Sequence, residues 1–127
     1  MAISQERSLR KPTGGRYRDY RKKRLFNLGD NPTYTRIGEK KLKVKRERSG
    51  SLKFTLLTAN KINVIDPKTK KFKIAEIKTV VESPANRNFI RRNIITKGTV
   101  IETSMGKVKV TSRPGQEGNL NGILVAQ

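Results

Sequence analysis

The sequence predicts a mainly β protein: a small β-barrel-like core of short antiparallel strands, with one or two short helices and an extended basic N-terminal arm. Three observations carry that prediction. From Leu52 onward the large aliphatic and aromatic residues recur in short groups, LKFTLL, KINVI, FKIAEI, TVIE, KVKV and GILV, each the size of a strand. Turn-forming residues separate these groups. Before Leu52 the apolar residues are scattered and basic residues dominate. A chain of 127 residues has room for one modest core. We therefore divide it into a basic extension, residues 1–40, and a core, residues 41–127.

Taken in order, the first strand candidate is KLKVKRER at 41–48. Alternation there sends Leu42 and Val44 inward and Lys41, Lys43 and Lys45 outward. Such lysines either protect an edge strand from aggregation or meet phosphate directly. Leu52, Phe54 and Leu56 share one face of the next strand, Ile62 and Val64 belong to another, Phe72 and Ile74 to a third, and Val108 and Val110 to a fourth. Asp66-Pro67-Lys68-Thr69 makes a turn, Ser104-Met105-Gly106-Lys107 a tight hairpin, and Arg113 to Asn119 a longer loop. Strands joined this way suggest a closed or nearly closed barrel.

Two helices are proposed. Across Ser83 to Asn93, Ser83 supplies a cap, Pro84 suits the first helical position and Asn93 ends the helix, which puts Arg87 and Arg91 on one face. The second runs from about Asp19 to Leu28, with Gly29 as its stop, although its first half could equally be extended.

Composition excludes most chemistry. Cysteine and histidine are absent, so thiolate and imidazole metal ligands and nucleophile systems are ruled out, as is a disulfide framework. The opening MAISQERSLRKPTGG has no apolar signal-peptide region, and no stretch approaches the ~18 apolar residues of a membrane span. A cytosolic protein with no membrane contact is expected. The formal charge is +20, from 30 Lys plus Arg against 10 Asp plus Glu. A compact monomer would repel itself at that charge, so a polyanion is implied as a standing partner. Both halves share the excess: residues 1–50 carry 16 basic and 5 acidic side chains, and 51–127 carry 14 and 5.

The densest binding signal lies at Arg7, Arg10, Lys11, Gly14, Gly15, Arg16, Tyr17, Arg18, Tyr20, Arg21, Lys22, Lys23 and Arg24. Arginine forks bind phosphate oxygens in pairs, lysines add point charge, and tyrosine rings offer a surface for an unstacked base. Gly14 and Gly15 let the backbone approach a phosphate closely or turn sharply. A solvated tail or an import signal is the plainer reading of such a run. The basic character of the core argues against it. Arg36, Lys41, Lys43, Arg87, Arg91, Arg92, Lys97 and Arg113 are further nucleic-acid candidates. Tyr34 is a third stacking candidate, and packing against the protein's own core is an equally good reading of it.

Catalytic readings fare poorly. Asp66, Glu76, Glu82, Glu102 and Glu117 are scattered, and they suit turns or lysine partners better than a paired acid and base. Gly98 with Gly106-Lys107 has the wrong spacing for a phosphate loop, and no Ser or Thr follows the lysine. We expect no enzyme activity, no cofactor, no metal and no small-molecule substrate.

Four segments resemble one family. They are Ser4 to Tyr17 (SQERSLRKPTGGRY), Arg21 to Gly29 (RKKRLFNLG), Asn86 to Gly98 (NRNFIRRNIITKG) and Val110 to Gln116 (VTSRPGQ). Together they resemble the S-eight-e family of small-subunit ribosomal proteins of archaea and eukaryotes, in its short archaeal form. The resemblance implies a compact barrel-like domain with an N-terminal extension lying against ribosomal RNA. It also implies small-subunit rRNA and neighbouring ribosomal proteins as partners, and a place in the cytoplasmic ribosome. Glu6 stands where the family pattern has glycine, and Asp19 interrupts the basic run, so no RNA contact is carried over to either. An assembly factor built on the same domain, a DNA-compacting protein and a carboxylate-based RNA-processing enzyme are the rival readings.

Overall fold

The computed structural model describes residues 3–125. They form two compact units, one ending at Pro32 and the other beginning at Thr33.

The second unit contains the barrel. Five strands close it in the order β10-β6-β7-β8-β9: β6 is Lys61–Ile65, β7 Phe72–Glu82, β8 Val100–Thr103, β9 Gly106–Val110 and β10 Asn121–Leu124. Every pairing is antiparallel except the seam between β6 and β10, which is parallel. β-Branched residues dominate the inward positions, as a pleated and half-buried surface favours. Ile62, Val64, Ile101, Val108 and Val110 are almost wholly buried. The predicted turns form as read. Asp66 Oδ1 accepts the Lys68 N–H at 3.0 Å in the β6–β7 turn, and Thr103 pairs with Gly106 across the β8–β9 hairpin.

At the parallel seam Gly122 lies opposite Val64 on one side and Val110 on the other. A Cβ there would meet Val108 Cγ1 at 2.5 Å and the Lys109 carbonyl oxygen at 2.9 Å. Only glycine lets these strands approach so closely.

A three-stranded sheet, in the order β3-β5-β4, completes the unit: β3 is Arg36–Ile37, β4 Lys41–Arg46 and β5 Leu52–Ala59. Leu56 and Ala59 join the same core as the barrel side chains. Thr35, just before β3, is fully buried and donates its hydroxyl to the Leu56 carbonyl at 2.7 Å.

One expectation needs correction. Leu42 and Val44 do not reach the core: they pair with Leu56 and Phe54 but stay exposed, because β4 is the outer strand of its sheet. Of Leu52, Phe54 and Leu56, only Leu56 is buried. Phe72 and Ile74 do share a face, but it is the outer wall of the barrel, where they are 75% and 71% exposed. Ala75 and Ile77 face inward instead, and irregularities at Ile77/Thr79 and Val80/Glu82 then shift the phase so that Val80 is buried.

The helices are shorter than expected. Among the described residues one α-helix forms, α1, at Asn88–Arg91. Asn86 accepts the Asn88 N–H at 2.9 Å, a local turn that starts the helix after Ser83 and Pro84. Asn93 ends it as read, with φ +49°. In the first unit the proposed helix at 19–28 is reduced to a 3-10 turn at Leu25–Asn27. Four successive cations, Arg21 to Arg24, oppose helical spacing. Leu28–Gly29 (β2) instead pairs antiparallel with Ile3–Ser4 (β1).

Candidate nucleic-acid interface

In the first unit, residues 9–17 fold back on themselves. The Tyr17 N–H donates to the Leu9 carbonyl at 2.8 Å and the Lys11 N–H to the Gly15 carbonyl at 2.8 Å. Gly14 takes φ +85°, which a side chain would resist, so the turn requires glycine there. The fold-back makes Arg10 and Arg16 antiparallel partners. Two like charges placed opposite one another repel unless an anion lies between them. The same loop sets Arg7 and Lys11 around the Tyr17 ring, with Arg7 Cζ 4.3 Å and Lys11 Nζ 5.3 Å from its centroid. Cations near a ring are attracted to its electron-rich face. Tyr17 is half-buried, whereas Tyr20 is exposed with Arg21 Cζ 5.0 Å from its centroid. Arg18, Lys22, Lys23 and Arg24 are exposed. Glu6 accepts a hydrogen bond from the Asn27 side chain, a use within the unit.

In the second unit, backbone hydrogen bonds gather several predicted arginines. The Ile95 N–H donates to the Thr35 carbonyl, and Arg36 bridges to Ile94, which brings β3 beside the segment following α1. The Leu56 N–H donates to the Pro114 carbonyl at 2.9 Å, tying the Arg113 loop to the same strand that anchors Thr35. Arg36, Arg91, Arg92 and Arg113 are therefore exposed on segments tied to one buried junction. Arg87 immediately precedes α1. Arg92 Cζ lies 5.9 Å from the Tyr34 centroid, and Tyr34 meets Phe89 edge to face at 5.7 Å. Tyr34 packs on Phe89 and remains 43% exposed.

Lys41 and Lys43 lie on the outer strand opposite Thr58 and Thr55, and Thr58 has Arg36 on its other side, so Lys41 shares a cross-strand row with Arg36. Lys97 is exposed beside Gly98, whose N–H donates to the Val110 carbonyl. Sequence reasoning missed Thr35. Its hydroxyl holds the junction together, but a lone threonine in a polar loop carries no periodic signal. Tyr34 was considered, though not its positive φ of 47°, which a bulky residue adopts only where its neighbours fix it.

The carboxylates have structural uses. Two turn N–H groups and the Thr69 hydroxyl surround Asp66 and hold its carboxyl below the usual range, the Lys68 N–H contributing most. Glu76 faces Lys61, and Glu102 faces Lys107, across neighbouring strands. Among the described residues no group of three or more potential metal ligands forms, and no helix is long and apolar enough to cross a membrane.

Fold and surface thus define a charge-dense β-barrel protein with arginines gathered around aromatic rings. The chain belongs to the ribosomal protein S8e family, whose model matches residues 4–125. It is 53% identical over 125 residues to the small ribosomal subunit protein eS8 of Methanobrevibacter smithii, covering 98% of this chain and all of that one. The protein of the same name from Methanosphaera stadtmanae is 50% identical over 98% of this chain and 99% of its own. That from Nanoarchaeum equitans is 48% identical over 95% of each.

Proposed function

We propose that this protein is a non-enzymatic structural constituent of the small ribosomal subunit in the cytoplasm, where it binds and stabilises folded rRNA. Its family membership and near full-length relatives named as small-subunit proteins support the ribosomal role. The observation that carries the RNA reading is the fold-back of residues 9–17, which holds Arg10 against Arg16 and surrounds Tyr17 with Arg7 and Lys11. Phosphate oxygens between the two guanidiniums relieve their repulsion, and charge-assisted pairs of this kind are the strong ones.

In this reading the extension, residues 1–40, threads between RNA helices while the barrel docks on a folded junction by shape and charge. Arginines hold phosphates, because the deep major groove of A-form RNA hides its base edges. Tyr17, Tyr20 and Tyr34 stack on unpaired bases. The neighbouring ribosomal proteins complete the site.

Copies per particle on a sucrose gradient in moderately high salt test the role. About one copy in both small subunits and translating ribosomes supports it. Confinement to precursor particles means an assembly factor, and co-migration with DNA means a compacting protein. Salt dependence tests the threaded extension. Neutralising ~10 phosphates gives a slope of log affinity against log salt of about −7 to −9, whereas a slope near −2 removes the extension from the interface.

A further inference from the structure

The outer wall of the barrel carries a surface that the RNA reading leaves unused. Where β7, β6 and β10 run side by side, two cross-strand rows face outward. The first is Phe72, Ile65 and Ile123, and the second is Ile74, Asn63 and Asn121. These six positions carry no charge in a chain of net charge +20. Phe72 and Ile74 are the most exposed of the apolar ones, and Ile123 is 42% exposed. Exposed apolar patches with polar rims mark protein contacts on soluble proteins.

The surface is concave and continuous. A cavity of about 590 Å³ lies over both rows. A second, of about 450 Å³, adjoins it at Asn63 and Ile74 and extends toward Lys40, Lys61 and Asn119. Asn63 donates to Asn121 at 3.1 Å, a pairing that uses one donor and one acceptor of two exposed amides. Their remaining capacity suits the peptide groups of an extended chain, which present donors and acceptors in alternation. At one end Lys61 faces Glu76 and Lys40, next to Glu39, donates to Asn119 at 3.1 Å, whereas Lys73 beside Phe72 lines the other cavity. Lys109 stands next to Ile123 on the neighbouring strand.

We propose that this groove docks an extended segment of a neighbouring protein, with aliphatic side chains set against Phe72, Ile65 and Ile123 and a carboxylate toward Lys73 and Lys109, which flank that row. The proposal rests on the small-subunit reading. It assigns this face to protein, leaving the arginine junction and the N-terminal unit to RNA.

Photo-crosslinking in assembled particles tests it. Small subunits are isolated from cells carrying Phe72→p-benzoylphenylalanine, and separately Tyr17→p-benzoylphenylalanine. At position 72 the expected product is a crosslink to one subunit protein, mapping to a stretch where aliphatic residues adjoin Asp or Glu. A crosslink to RNA, to a second copy of this chain, or to nothing in subunits that contain the protein overturns the proposal. The Tyr17 variant separates the two levels. If the protein is missing from subunits and position 17 captures no RNA, the small-subunit reading has failed, and the groove assignment fails with it. A second measurement uses the double variant Phe72→Ser and Ile74→Ser, which changes only outward side chains. Retention in salt-washed subunits should fall about tenfold, with thermal midpoint and free-protein RNA affinity unchanged. Undiminished retention overturns the proposal.

Discussion

Gly122→Ala offers a sharp test of how the barrel closes. The added methyl carbon would lie 2.5 Å from Val108 Cγ1, 2.9 Å from the Lys109 carbonyl oxygen and 3.1 Å from Ile62 Cδ1. Carbon atoms settle at ~3.5–4.0 Å, so the Val108 methyl must retreat by about 1 Å into a core packed as tightly as a crystal. The Lys109 oxygen has less freedom, because it belongs to the backbone of the paired strand. Overpacking of this kind costs roughly 1–3 kcal/mol, and the stiffer unfolded chain returns about 0.4–1 kcal/mol. A net loss of about 1–2 kcal/mol follows. For a domain of this size each kcal/mol moves the melting temperature by ~4–8 °C, so the full chain should melt ~4–16 °C lower by circular dichroism in moderately high salt. Adding Val108→Ala should cost less in the Gly122→Ala background than in the wild type, since the two side chains compete for one space. An unchanged melting temperature for Gly122→Ala would refute the close-approach argument. Gly98→Ala is the contrast: nothing lies within 4 Å of its Cβ position, but φ is +87°, so the cost is purely conformational, about 1 kcal/mol.

Other predictions follow from the same geometry. Thr35→Val removes the donor to the buried Leu56 carbonyl and should lower unfolding free energy by about 1–3 kcal/mol in a denaturant titration. Tyr17→Ala should weaken binding to structured rRNA by about 1–3 kcal/mol in a filter assay while the salt slope stays the same, because stacking is lost and no charge is. The Asp66 carboxyl titrates lower in the folded chain than its ordinary 3.8, so the stability it adds is present above that value and is lost as pH falls through the folded value. Asp66→Asn keeps an acceptor for the Lys68 N–H, and melting curves from pH 6 to 2 should show a smaller acid-side decline than in the wild type.

The barrel was legible because its inward residues are mostly β-branched and alternate over stretches broken by good turn formers. Ile62 and Val64, and Val108 and Val110, face inward for that reason. Alternation alone carries no sign, however. Phe72 and Ile74 alternate as well as any pair, yet Ala75 and Ile77 on the opposite face fill the interior. The choice depends on which face the partner strands cover, and the irregular pairings of β7 with β8 are set by contacts distant in sequence. Helix length failed for a local reason, since Asn86 competes with Ser83 as the start. At the candidate interface the basic residues themselves could be read directly. The pairing of Arg10 with Arg16 and the approach of Arg36 to Ile94 could not, because they arise from backbone bonds formed only in the folded chain.

The parallel seam also orders events in time. A purely antiparallel meander can add each strand to the one just made, but β6 waits for β10, some 60 residues later in the chain, before its second edge is covered. Until Asn121–Leu124 dock, the four antiparallel strands β6 to β9 can form only an open sheet. Through that interval Lys61 on β6, and Lys107 and Lys109 on β9, put charge on the two strands that await closure, a recognised safeguard against pairing with another chain. The ring is complete only when β10 has docked against both β6 and β9.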